Sequence, residues 1–136
     1  MTRIFLDTNI VIDFVGKRQP FYQSAAAYFE LAYRKEIILY TSALTLANAA
    51  YILGKQMEAD EVRRSLLKLL TLVNVTELTG GVVEKALRDG SFHGIEDGMQ
   101  YVMAKTEGMD AIITRDANDF AASNIPVFTP LAYLNR

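Results

Sequence analysis

Short apolar runs alternate along this chain with stretches whose apolar residues recur at helical spacing. Residues 3–6, RIFL, are a run of the first kind and predict a buried strand. Residues 20–35, PFYQSAAAYFELAYRK, open on a proline, which suits a first helical turn, and Phe21, Ala25, Phe29 and Ala32 keep helical spacing. EIILYT at 36–41 reads as a strand, and Ser42 then caps a helix running to about Gly54. Across 59–72, Val62, Leu66, Leu69 and Leu70 form one stripe, with Arg63, Arg64 and Lys68 on a basic face read as solvated. LVNVTEL (72–78) is β-branched and alternating. GGVVEKALRDG (80–90) reads as a short helix ended by glycine, and IEDGMQYVMAKTEG (95–108) as another. DAIIT (110–114) and IPVFT (125–129) are short strands with a turn between them.

Strands separated by helices require crossover connections. The pattern therefore predicts an α/β fold with a largely parallel sheet covered on both faces. One domain over 1–136 fits the length. With 51% hydrophobic and 22% charged residues, the composition is that of a globular chain rather than a disordered one. Cysteine is absent, which excludes disulfides and thiolate zinc and fits a reducing cytoplasm. No secretory signal is visible, and no membrane role is expected: the longest uncharged stretch, 37–54, carries Thr41, Ser42, Thr45 and Asn48. A net charge of −2 gives no global basic footprint, so any nucleic-acid contact must rely on local groups or bound cations.

Parallel sheets bind ligands beyond the carboxyl ends of their strands. The first strand runs there into Asp7-Thr8-Asn9, and the fourth into Thr114-Arg115-Asp116, with Asp119 three residues on. Asp97 opens the helix at 95, away from the stripe of Glu96, Gln100 and Glu107 that reads as solvated. Crowded carboxylates resist ionising together. A divalent cation with oxygen preference removes that penalty and can activate water. Asp7, Asp97 and Asp116 are the candidate metal ligands, for Mg²⁺ or Mn²⁺. The sole histidine, His93, falls in a predicted loop, which argues against a histidine-dependent triad. Arg115 is left between a phosphate contact and an acid partner. Asp13, four residues before Lys17, reads as one half of a surface ion pair, and Asp110 as structural.

FLDTNIVIDF, SALTLANAAYIL, EDGMQYVMA and DAIITRDANDF, in that order and spacing, resemble the PIN domain, most closely the small single-domain VapC-type toxins. The resemblance runs from Arg3 to about Leu134. It implies a three-layer α/β/α sandwich with a roughly five-stranded, mostly parallel sheet. It implies a metal-dependent ribonuclease acting on single-stranded RNA, a small antitoxin partner and a homodimer. It assigns Asp7, Asp97, Asp116 and Asp119 as the acidic residues, with Thr8, Asn9 and Thr114 in support. One position departs: Asn48 stands where the resemblance expects a glutamate. An amide oxygen can coordinate a cation but brings no charge. A module that binds RNA or protein with weak or no cleavage is therefore the second reading. Phosphotransfer is disfavoured, because its paired aspartates are not matched around Asp7. The aromatic-rich 20–35 helix supplies core residues and a surplus that suits a dimer surface.

Overall fold

The computed structural model describes residues 1–136. In chain order the elements are β1 (Arg3–Leu6), α1 (Thr8–Val15), α2 (Tyr22–Tyr33), β2 (Ile38–Ser42), α3 (Ala43–Leu53), α4 (Ala59–Leu69), β3 (Val73–Thr76), α5 (Gly80–Arg88), α6 (Ile95–Thr106), β4 (Ala111–Ile113), a 3-10 turn (Ala117–Phe120), β5 (Val127–Phe128) and α7 (Pro130–Leu134). The five strands form one sheet in the order β3-β2-β1-β4-β5, with every pair parallel.

Side chains alternate across the central strand. Ile4 and Leu6 pack into a core built with α1, α2, α3 and α4, while Phe5 points the other way and packs with Phe92, Tyr101, Ala104 and Phe120. All three are fully buried, as a strand covered on both faces must be. The expected three layers are therefore present. The uncharged stretch at 37–54 resolves into β2 and α3, and no helix is long and apolar enough to cross a membrane.

Local chemistry sets the element ends. Ser42 caps α3, its Oγ accepting from Thr45 N at 2.9 Å. Gly108, at φ +70°, closes α6 with paired bonds from Gly108 N to Lys105 O and from Met109 N to Ala104 O, a reversal that favours glycine. Two predicted details differ. Pro20 lies ahead of α2 in a turn closed by Phe21 N donating to Arg18 O, and the helix begins at Tyr22. The segment after β5 adds α7, capped by Thr129 with Pro130 in the first turn. Tyr28 from α2 is fully buried and donates to Pro130 O at 2.7 Å, tying α7 down.

Asp13 is not a surface residue. Its carboxylate is 1% exposed and takes a two-point pair from Arg115, Nε at 2.7 Å and Nη2 at 3.2 Å. Lys17 cannot take that role, because α1 has ended at Val15 and Lys17 sits in a turn at φ +50°. The Arg115 guanidinium also lies 4.0 Å over the Phe21 ring. Removing one partner of such a pair leaves a buried charge uncompensated. Arg115→Ala is expected to cost about 3 kcal/mol, read as a lower urea midpoint at pH 7. Adding Asp13→Leu to that variant should recover much of the loss.

Candidate active site

β1 and β4 are neighbours, with Phe5 beside Ile112 and Leu6 beside Ile113. The chain leaves β1 toward β2 and β3 on one side and reaches β4 and β5 on the other. Open parallel sheets place their ligand crevice at such a reversal, beyond the carboxyl ends of the strands. Asp7 and Thr114 are the first residues past those ends. The backbone continues the pairing, Asp7 N donating to Ile113 O at 3.0 Å.

Asp7 is buried and its two carboxylate oxygens are separately held. Oδ1 accepts from Thr8 N at 2.8 Å as the cap of α1, and Oδ2 accepts from Thr114 Oγ1 at 2.8 Å. The capping role read from the sequence is thus present, and the same side chain is tied to the end of β4. Thr114 Oγ1 also accepts from Asp116 N at 3.0 Å and from Asn9 Nδ2 at 3.3 Å. Asn9 Nδ2 reaches Asp116 Oδ2 at 3.3 Å as well, and Asn9 Oδ1 accepts from Arg115 N at 3.2 Å. Residues 114–116 are therefore clamped to the first turn of α1. Arg115 is committed to Asp13 and leaves the neighbouring acids unneutralised.

The second wall of the crevice is the meeting of α3 and α6. Gln100, read from sequence as solvated, is 1% exposed, whereas Ile95 is 59% exposed. The helix is rotated so that its Glu96–Gln100 edge faces α3. Gln100 accepts from Ser42 Oγ at 2.6 Å and donates to Thr45 Oγ1 at 2.8 Å. Thr45 in turn shares a 2.9 Å hydroxyl contact with Thr8. One turn toward the rim, Asn48 Nδ2 donates to Glu96 Oε1. Asn48 does find the hydrogen-bond partner that a half-buried amide requires. Glu96, read as solvated, is exposed, with Asn48 as its partner. The overlooked signal was complementary spacing: Thr45 and Asn48 three apart on α3, Glu96 and Gln100 four apart on α6, each pair sharing one face.

The carboxylates act on one another. Burial raises the Asp7 pKa, hydrogen bonds from Thr114 and Thr8 lower it, and the charges of Asp116 and Glu96 raise it. Asp97 is pushed up to about 6, first by burial, then by Asp7, Asp119, Glu96 and Asp116. The four acids chosen from sequence, and Glu96 with them, therefore lie within electrostatic reach of Asp97. Space for the Asp97 carboxyl is made by Gly94, where a Cβ would lie 2.7 Å from Asp97 Oδ2.

No three of these acids stand close enough together to hold one ion between them as they are. The donor set nevertheless suits Mg²⁺ or Mn²⁺: hard oxygens, mutually repelling, on an open crevice. Mg²⁺ commonly takes one or two carboxylates and fills its remaining positions with water and phosphate. One or two of the sequence candidates Asp7, Asp97 and Asp116 could serve as direct ligands at a time.

Asp97 also makes the metal-free protein sensitive to pH. Below about pH 4 its carboxyl is protonated whether the chain is folded or not; from there to about 6 the folded chain binds the proton more tightly. Its contribution to stability accordingly falls as pH rises through that interval. With EDTA present, Asp97→Asn should melt above wild type at pH 7.5, by about 1 kcal/mol once solvent screening at this part-exposed group is allowed for. The gap should close by pH 4 in thermal melts.

Comparison with known proteins places this geometry. Residues 3–118 match the PIN domain. Ribonuclease VapC1 of Aquifex aeolicus (strain VF5) is 26% identical over 98% of this chain and 94% of its own length. Among solved structures, the DNA-bound VapBC of Salmonella typhimurium aligns with TM-score 0.70 at 20% identity, over 96% of this chain and 99% of its own. VapC20 of Mycobacterium tuberculosis, a sarcin-ricin loop cleaving toxin, aligns with TM-score 0.68 at 18% identity, over 88% and 94%. A parallel five-stranded sheet with acids gathered at the β1–β4 reversal, and a family match spanning most of its length, make this chain a member of the PIN domain family.

Proposed function

We propose that this protein is a divalent-cation-dependent endoribonuclease that hydrolyses phosphodiester bonds of single-stranded RNA. The observation that carries the reading is the buried Asp7 carboxylate, joined through one hydroxyl to the loop that presents Asp116. The likeness to Ribonuclease VapC1 supports it.

Hydrolysis of a phosphodiester needs a positioned water, a destination for its proton and relief of charge on the phosphate. A bound Mg²⁺ or Mn²⁺ supplies a water of lowered pKa and shields the phosphate oxygens. The chain's own task is to hold oxygen ligands rigidly. Thr114 and Thr8 fix both Asp7 oxygens, and Asn9 fixes the segment carrying Asp116. Asp119, exposed on the 3-10 turn, adds its charge to those acting on Asp97 and is the accessory carboxylate of this reading. Water attacks phosphorus, the ester P–O bond breaks, and the departing oxygen takes up a proton.

The Salmonella neighbour is a VapBC complex and another, from Klebsiella pneumoniae, is a toxin–antitoxin complex with TM-score 0.67. By that likeness the proposed setting is the toxin of a toxin–antitoxin pair, with a small antitoxin as partner. A second copy of the chain is the other proposed partner. Tyr28 and Phe29 of α2 are spent in the core, whereas Tyr33 is 73% exposed and available to an interface. Asn48, at the position of an expected acid, favours a second reading, a module that binds RNA without cleaving it.

With Mg²⁺ or Mn²⁺, purified protein should cleave single-stranded RNA, and EDTA should stop it. Asp7→Asn should lower the rate by about 100-fold or more. Thr114→Val, which keeps shape and removes the hydroxyl, should cost about 10- to 100-fold through misplaced acids. Full cleavage in EDTA overturns the nuclease reading; no cleavage of any RNA under any divalent cation supports the binding module.

A further inference from the structure

A cavity of about 310 Å³ borders Asp116. Three segments that meet only in the fold line it: Arg115 and Asp116 after β4, Phe21 and Ser24 at the start of α2, and Thr129 and Leu131 at the start of α7. Asp116 belongs both to this cavity and to the segment clamped by Asn9 and Thr114. Arg115 is held rigidly. Its Nε and Nη2 are bonded to Asp13, and its guanidinium carbon lies 4.0 Å over the Phe21 ring. Nη1 is left with no protein partner and is open to solvent. Phe21 and Leu131 are both exposed, so the cavity carries apolar surface that the core does not use.

The charges decide what such a cavity takes. Asp13 already meets the charge of Arg115, and Asp116 adds a negative one beside it, so an anion is not favoured. A neutral, flat ligand with polar edges is. Arg115 Nη1 can donate to a carbonyl or a ring nitrogen. Ser24 Oγ gives its proton to Phe21 O and keeps lone pairs for an amino group. Thr129 Oγ1 accepts from Ala132 N and keeps its proton to donate. Phe21 and Leu131 offer apolar surface to the ring itself. A nucleobase has this make-up, and single strands present bases unstacked to aromatic rings and guanidinium planes.

Resting on the ribonuclease reading, we propose that this cavity is a nucleobase subsite, which takes the base of a nucleotide next to the scissile phosphate. Asp116 borders both places, so a strand with its base in the cavity brings the neighbouring phosphate to the acids. Arg115 then has two tasks, tying down Asp13 and meeting the edge of the base. The substrate this selects is RNA with an unpaired base beside the bond that is cut.

Fluorescence anisotropy in EDTA can compare a labelled single-stranded oligoribonucleotide of mixed sequence with an abasic strand of equal length. Ser24→Phe fills the cavity and Phe21→Ala removes the ring; circular dichroism melts would check that both are folded. Each should weaken binding of the RNA by about 10-fold and leave the abasic strand as in wild type. Phe21→Tyr keeps a ring and should stay within about 3-fold of wild type. With Mg²⁺, Ser24→Phe and Phe21→Ala should raise KM for the RNA more than they lower kcat. Equal weakening on both strands marks a backbone contact and overturns the base subsite. RNA affinity and KM unchanged in both variants overturn it too, while cleavage by wild type leaves the nuclease reading standing. Wild-type protein that neither binds nor cleaves RNA overturns that reading and this inference with it.

Discussion

One hydroxyl holds the site together. Thr114 Oγ1 donates to Asp7 and accepts from Asp116 N and Asn9 Nδ2. A hydroxyl has one proton and two lone pairs, so its capacity is used completely. It is fully buried, where an unmet polar group is costly. The arrangement exists only because β1 and β4 run parallel in register, so that their first residues beyond the sheet lie side by side. Asp7, Asp116 and the first turn of α1 all take their positions from that coincidence.

The other wall obeys a different constraint. Burying Gln100, Thr45 and Ser42 together is tolerable because each finds a partner among the others. That small polar core orients α6, with Asp97 half-buried and Glu96 exposed against Asn48. Burial first, and the charges of neighbouring acids after it, raise the pKa values of Asp7 and Asp97. The metal-free fold thus retains an electrostatic cost that its apolar core must offset. Functional sites are where such costs are ordinarily kept.

The alternation of strand and helix was legible because it follows from period and length alone. So was the placement of Asp7 and Asp116, which needs only a parallel sheet and a rule about its edges. Asp97 was legible from helical geometry. The burial of Gln100 was not, because periodicity assigns polar residues to solvent unless a second polar face is known to meet them. That face, Thr45 and Asn48, was in view but belonged to another helix, and nothing local says which helices touch. Asp13 failed for a related reason. Its true partner lies 102 positions away, whereas Lys17 was near in sequence. The short α7 was hidden by the brevity of its pattern, although Thr129 and Pro130 are good signals of a helix start.

Thr114 and Asp7 are separated by 107 positions. The two sides of the crevice floor therefore come from opposite ends of the polypeptide. While the chain is being synthesised, Asp7 emerges early and waits as an isolated carboxylate beside an unfinished sheet. The crevice forms only once β4 has been made and has docked against β1, a contact of high loop-closure entropy. The floor consequently requires the chain as far as Thr114–Asp116. A nascent chain that stops short of β4 carries the early acid without the hydroxyl and the loop that hold it, so the crevice floor arrives in one step rather than gradually.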